Sequence, residues 1–180
     1  MPDPLRLGFV SVVRPLFKGD TQHAITKSVQ GLETLAANLE FELILIDPVS
    51  DVDRAIQAAE EIKVQELDLL LIQHTTFATG DLLAPLLNAH PRVGVWALPE
   101  RAGGRGNHGP LPLNALCGLN MTLSFLDHPN VNKPEPVKWF YGEVDSDAFK
   151  TRLMTTLAAL RGLKATQHAR ILQIGGTAPN

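Results

Sequence analysis

Leu69-Leu70-Leu71-Ile72 is a run of four apolar residues without polar alternation, so a strand built from it is buried on both faces. Such a strand belongs to a parallel sheet with helices on either side. Runs of the same chemistry, rich in Val, Ile, Leu and aromatics, occur at 5–13, 41–46, 67–72, 93–98 and 137–141. Helical periods separate them. Ile25, Val29, Leu32, Leu35, Ala36 and Leu39 draw one apolar stripe; Val52, Ala55, Ile56, Ala59 and Ile62 draw a second; Phe149, Leu153, Leu157 and Leu160 draw the last. Shorter helices are expected at 81–88, despite Pro85, and at 114–127, where Leu116, Leu119, Leu123 and Leu126 recur at helical spacing. Asp20, Ser50 and Asp145 or Ser146 stand where N-caps belong, because their side-chain oxygens can accept the unpaired amides of a first turn. This alternation predicts an α/β domain, a three-layer doubly wound parallel sheet in the flavodoxin-like order 2-1-3-4-5.

With 180 residues and 44% hydrophobic content, the chain can bury a core as one domain over 1–169. The final stretch, Arg170-Ile171-Leu172-Gln173-Ile174-Gly175-Gly176, reads as a strand running into a glycine turn. It is either an edge strand or, over 170–180, the start of a second domain. A net charge of -3 with no long basic block leaves no footprint for nucleic acid or an anionic membrane. No apolar run approaches the ~20 residues that span a bilayer. Met1-Pro2-Asp3-Pro4 lacks the basic and apolar regions of a signal peptide, and a lone cysteine fits a reducing compartment, so a cytoplasmic location is expected. Cys117, inside an apolar helical stripe, is expected to be a buried, inert thiol.

Ligands of open parallel sheets bind outside the carboxyl ends of the strands, so the segments that follow the strands carry the functional reading. After the first strand comes Arg14-Pro15-Leu16-Phe17-Lys18-Gly19-Asp20, after the third Gln73-His74-Thr75-Thr76, and after the fourth a long polar, glycine-rich loop at 98–112. A loop of that length is more often a binding loop or lid than a connector. All three segments should meet on one edge. Arg14, Lys18, Arg101 and Arg105 are fixed donors, Asn107 and Gln73 supply both donor and acceptor, Thr75 and Thr76 supply hydroxyls, and His74, Glu100 and His108 stand with them. The mixture suits a polyhydroxylated or anionic small molecule. Neither GxGxxG after the first strand nor a Gly-Lys-Ser/Thr phosphate loop occurs, so nucleotide binding has no support. No helix carries His and Glu at metal-ligand spacing. His23, His90, His128 and His168 read as surface residues.

Arg14-Pro15 with Gly19 after the first strand, Glu100-Arg101 with Gly103 after the fourth, and Leu172-Gln173-Ile174-Gly175-Gly176 at the end form an ordered set. Together they resemble the N-terminal domain of the L-fucose isomerase and L-arabinose isomerase group of sugar isomerases. The resemblance implies a subunit of two N-terminal α/β domains and a C-terminal domain, aldose–ketose interconversion with Mn2+, and assembly as a homo-oligomer, a hexamer in that group. It implies that Arg14 matches an arginine that reaches substrate in a neighbouring subunit. The family's metal ligands, two carboxylates and a histidine, lie in the later domains, and no position here matches them. Where L-fucose isomerase carries an aromatic after the third strand, this chain has His74-Thr75-Thr76, which leaves the sugar open.

The expected division of labour follows. This chain supplies Arg14, Lys18, His74, Thr75, Glu100, Arg101, Asn107 and His108 to a sugar pocket, needs no cofactor of its own, and does not isomerise alone. The remaining domains of the same enzyme are its partners. The alternative is a stand-alone flavodoxin-like domain that binds a small ligand at the same edge without catalysis.

Overall fold

The computed structural model describes residues 3–100, 112–129, 131–132, 136–167, 169–170, 172 and 174–176. Five strands and five helices alternate: β1 (Leu5–Val12), α1 (Thr21–Leu39), β2 (Phe41–Val49), α2 (Val52–Lys63), β3 (Leu69–His74), α3 (Gly80–Ala89), β4 (Val93–Ala97), α4 (Ala115–Phe125), β5 (Lys138–Tyr141) and α5 (Asp147–Gln167). The sheet is parallel throughout and ordered β2-β1-β3-β4-β5, the flavodoxin-like arrangement that the alternation predicts.

The core is split by the sheet into two layers. Ala55, Ile62, Leu83, Leu87 and Leu119, from α2, α3 and α4, pack against Val10, Leu70 and Ile72 on one face. Leu32 of α1 and Phe149, Leu153 and Leu157 of α5 pack against Phe9, Leu71 and Trp96 on the other. Every residue of β3 and β4 is buried, as central strands between two helical layers must be. Trp96 anchors the second layer, its ring 4.4 Å from that of Phe149, and its indole N–H donates to the Gly142 carbonyl at 2.8 Å.

Several local expectations are corrected. β3 begins and ends two residues later than its apolar run, so Gln73 and His74 lie inside the strand and not in the loop beyond it. β2 runs on to Val49 through Pro48, which an edge strand tolerates because the missing N–H need not enter a ladder. The cap of α2 is Asp51, which accepts the Arg54 amide, while Ser50 donates to Asp51. Cys117 is exposed: α4 buries Ala115, Gly118, Leu119 and Thr122, a face rotated away from Leu116 and Cys117. His90 is buried, because its Nε2 reaches the Leu67 carbonyl at 2.9 Å and its Nδ1 accepts the Arg92 amide at 3.1 Å. Asp20 and Ser146 do cap, accepting from His23 and Phe149. At the end of the chain Ile171, Gln173 and 177–180 lie outside the described residues, and Leu172 and Ile174 are exposed. His168 lies outside the described residues.

Leu83, fully buried where α3 packs on the sheet, tests the first layer. Leu83→Ala should cost about 2–5 kcal/mol in urea unfolding, the range for a core cavity that relaxes only partly.

Candidate functional site

At the carboxyl edge the three segments singled out by sequence are joined by hydrogen bonds. The Arg14 amide donates to Thr76 Oγ1 at 2.7 Å, the Phe77 amide to the Leu113 carbonyl at 3.0 Å, and the Gly19 amide to the Pro112 carbonyl at 3.1 Å. The Phe17 and Phe77 rings approach to 6.1 Å. Gly19 eases this approach, because a Cβ would fall 2.6 Å from the Leu113 side chain and 3.0 Å from the Pro112 carbonyl. The β1, β3 and β4 connections therefore form one knitted rim.

Glu100 performs a structural task on this rim. Its carboxylate accepts the Asn114 and Leu113 amides. Asn114 occupies the N-cap of α4 in left-handed backbone and provides no side-chain cap, so Glu100 satisfies the helix end from across the loop. Arg14 lies at the β1–β3 side, where its charge adds a small pull to the lowering of the Asp81 carboxyl, whose main cause is a hydrogen bond from Thr79. Lys18 is exposed and its Nζ donates to the Pro15 carbonyl at 3.1 Å. Arg101, Asn107 and His108 lie outside the described residues.

His74 and Thr75 are fully buried. The Thr75 hydroxyl donates to Gln73 Oε1 at 2.9 Å, Gln73 Nε2 donates to Ser28 Oγ at 2.7 Å, and Ser28 donates to the Ala24 carbonyl at 2.9 Å. This chain of bonds ties β3 to α1. His74 does the same for α4. The Thr122 hydroxyl donates to the Gly118 carbonyl at 3.0 Å, so at 2.6 Å it accepts from His74 Nε2, which assigns the ring proton to that atom. Nδ1 is left without a hydrogen-bond partner among the described residues. Burial pushes the His74 pKa down to about 4; the Thr76 backbone opposes this weakly and is not aligned for a hydrogen bond. Gly118 lets the helix come this close, since a Cβ there would stand 2.6 Å from Nδ1 and 3.1 Å from Phe77 Cα.

Sequence reasoning passed over a second group. A cleft of about 140 Å3 opens between the first turns of α1 and the end of β4, bordered by Gly19, Asp20, His23, Lys27, Glu100, Leu113 and Glu143. Lys27 Nζ bonds Glu143 at 2.9 Å and lies 3.5 Å from Asp145. The hydrogen bond to Glu143 is the main cause of a raised Lys27 pKa. Asp20, His23 and Lys27 recur at spacings of three and four, and that polar face of α1 was the available signal. Arg14 is not among the residues that border this cleft. Among the described residues no group of three or more His, Cys, Asp or Glu is placed to hold a metal ion. No described helix is long and apolar enough to cross a membrane.

No family model matches the chain. It is 28% identical over 172 residues to proteins named sulfoquinovose isomerase from Priestia aryabhattai and from Priestia megaterium, an alignment over 95% of this chain and 36% of each relative. The chain thus spans about a third of the length of those relatives. A solved oxidoreductase structure from Corynebacterium diphtheriae superposes with a TM-score of 0.47 at 12% identity, covering 91% of this chain and 98% of its own, a likeness too distant to carry an argument.

The buried imidazole makes stability depend on pH. His74 titrates near 4 when folded and near 6.5 when unfolded, so between those values the unfolded chain binds more protons. Its stabilising contribution is complete above the unfolded value and is lost as pH falls towards the folded one. Relative to His74→Gln, the parent chain should lose about 2 kcal/mol between pH 7 and 5 in urea unfolding, and parallel pH profiles would remove His74 as the cause.

Proposed function

We propose that this chain is an α/β domain of a sugar aldose–ketose isomerase, related to the L-fucose and L-arabinose isomerase group, that helps to shape the substrate pocket while other domains hold the metal. The observation that carries this reading is the alignment with two sulfoquinovose isomerases over nearly the whole chain but only 36% of their length. A metal that polarises the carbonyl and hydroxyl oxygens must be held rigidly by its ligands, which leaves other domains to orient the sugar and exclude water.

Within this reading the residues divide into two kinds. Among the described residues, Arg14 and Lys18 on the β1 connection at the sheet's carboxyl edge are cations available to an anionic or polyhydroxylated sugar. Gln73, His74 through its Nε2, Thr75 and Glu100 are positioning residues: hydrogen bonds inside the domain hold them and fix the described ends of the connections. Sulfoquinovose, the substrate in the relatives' name, is the first sugar to assay, followed by L-fucose and L-arabinose.

Two measurements test the proposal. The purified 180-residue chain supplied with Mn2+ should turn over none of these sugars, and turnover would overturn the division of labour. In an assembled isomerase that contains this domain, Arg14→Ala should lower kcat/KM roughly 10- to 100-fold, the loss expected for one charge-assisted hydrogen bond, with Tm unchanged. An unaltered kcat/KM would take Arg14 out of the pocket.

A further inference from the structure

β5 closes the sheet on one side, and no described strand pairs with its outer edge. Along it Trp139 and Tyr141, 46% and 40% exposed, alternate with the fully buried Phe140. A groove of about 720 Å3 runs between this strand and α5, bordered by Trp139, Tyr141, Asp147, Thr151, Arg152 and Thr155 among others. The Arg152 guanidinium lies 4.3 Å from the centroid of the Trp139 ring and holds the indole at the edge. Trp, Tyr and Arg are the residue types that dominate binding energy at protein interfaces, and an unpaired strand edge supplies main-chain donors and acceptors beside them.

The charges say which partner fits. Lys138 stands at the first position of β5, and Asp147 opens α5 just beyond the other end of the strand. Both are exposed, and neither has an ion-pair partner among the described residues. The strip is therefore positive at one end and negative at the other. Parallel pairing in register would set Lys138 beside its own copy. Antiparallel pairing centred on Phe140 instead sets Trp139 across from the partner's Tyr141 on one face, and the two-fold axis repeats the contact. The same register brings Lys138 opposite the partner's Gly142 and towards the partner's Asp147.

We infer that the outer edge of β5 docks a second copy of this chain, antiparallel and about a two-fold axis, so that the two sheets join into one. Cross-strand aromatic pairs supply the attraction, and the opposed Lys138 and Asp147 set the direction. An isologous contact of this kind closes on itself and does not propagate into fibres. The inference stands independently of the sugar chemistry.

Sedimentation equilibrium of the 180-residue chain, from micromolar to millimolar concentration, should show monomer and dimer in exchange. Tyr141→Ala should raise the dimer Kd roughly 30-fold, as truncation of an interface hot spot does. Lys138→Asp and Asp147→Lys should each raise it about tenfold, and the double swap should restore it. The swaps are at exposed positions, so circular dichroism should show unchanged folding. A chain that stays monomeric throughout overturns the inference and leaves the groove to another partner. A dimer indifferent to the swaps and to Tyr141→Ala overturns it as well, because the contact then lies elsewhere.

Discussion

The most demanding constraint in this domain is the burial of the last two residues of its central strand. β3 is covered on both sides, yet it ends in Gln73 and His74, whose polar atoms need partners inside the protein. Successive residues of a strand point to opposite faces, so each finds its partner in a different layer. Gln73 is bonded to Ser28 of α1, and His74 to Thr122 of α4. One dipeptide thus fastens the sheet to both helical layers, at the edge where three connections converge. An apolar pair would hold the layers together but would not select the position of either helix along the strand.

That fastening extends into the rim. The β1 connection is held by Thr76, the β3 connection by Leu113, and the start of α4 by Glu100. With these bonds in place, the frame carries Arg14 and Lys18 on the β1 connection at the carboxyl edge of the sheet. Sites placed on a rigid frame keep their geometry better than sites on free loops.

The architecture was legible in the sequence because its signals are local. The unalternated run at Leu69-Leu70-Leu71-Ile72 requires two covering layers, and the stripes of α1 and α5 supply one of them. Most errors arose where tertiary context outweighed pattern. Cys117 and Leu116 fit a helical stripe, but α4 meets the sheet through Gly118, whose small size allows the approach to His74, and this turns the exposed side towards Cys117. His90 resembles a loop histidine until the carbonyl of Leu67 is brought to its ring by the fold. The site was read in part. The meeting of the three connections followed from the rule for parallel sheets, whereas the roles of Ser28 and Thr122 did not, because a hydroxyl on a helix gives no sign of the buried side chain it will meet. Lys27 and Glu143, 116 residues apart, were separated by the same lack of information.

The clasp that Glu100 makes with the amides of Leu113 and Asn114 has an architectural meaning beyond the capping of a helix. It ties Glu100, the last described residue before 101–111, to the amides of Leu113 and Asn114 just beyond that segment, and so closes a ring of the chain. The entropy of closing such a ring grows only slowly with the number of residues it contains. By that scaling, each doubling of the segment inside the ring adds only about 0.6 kcal/mol to the closure cost.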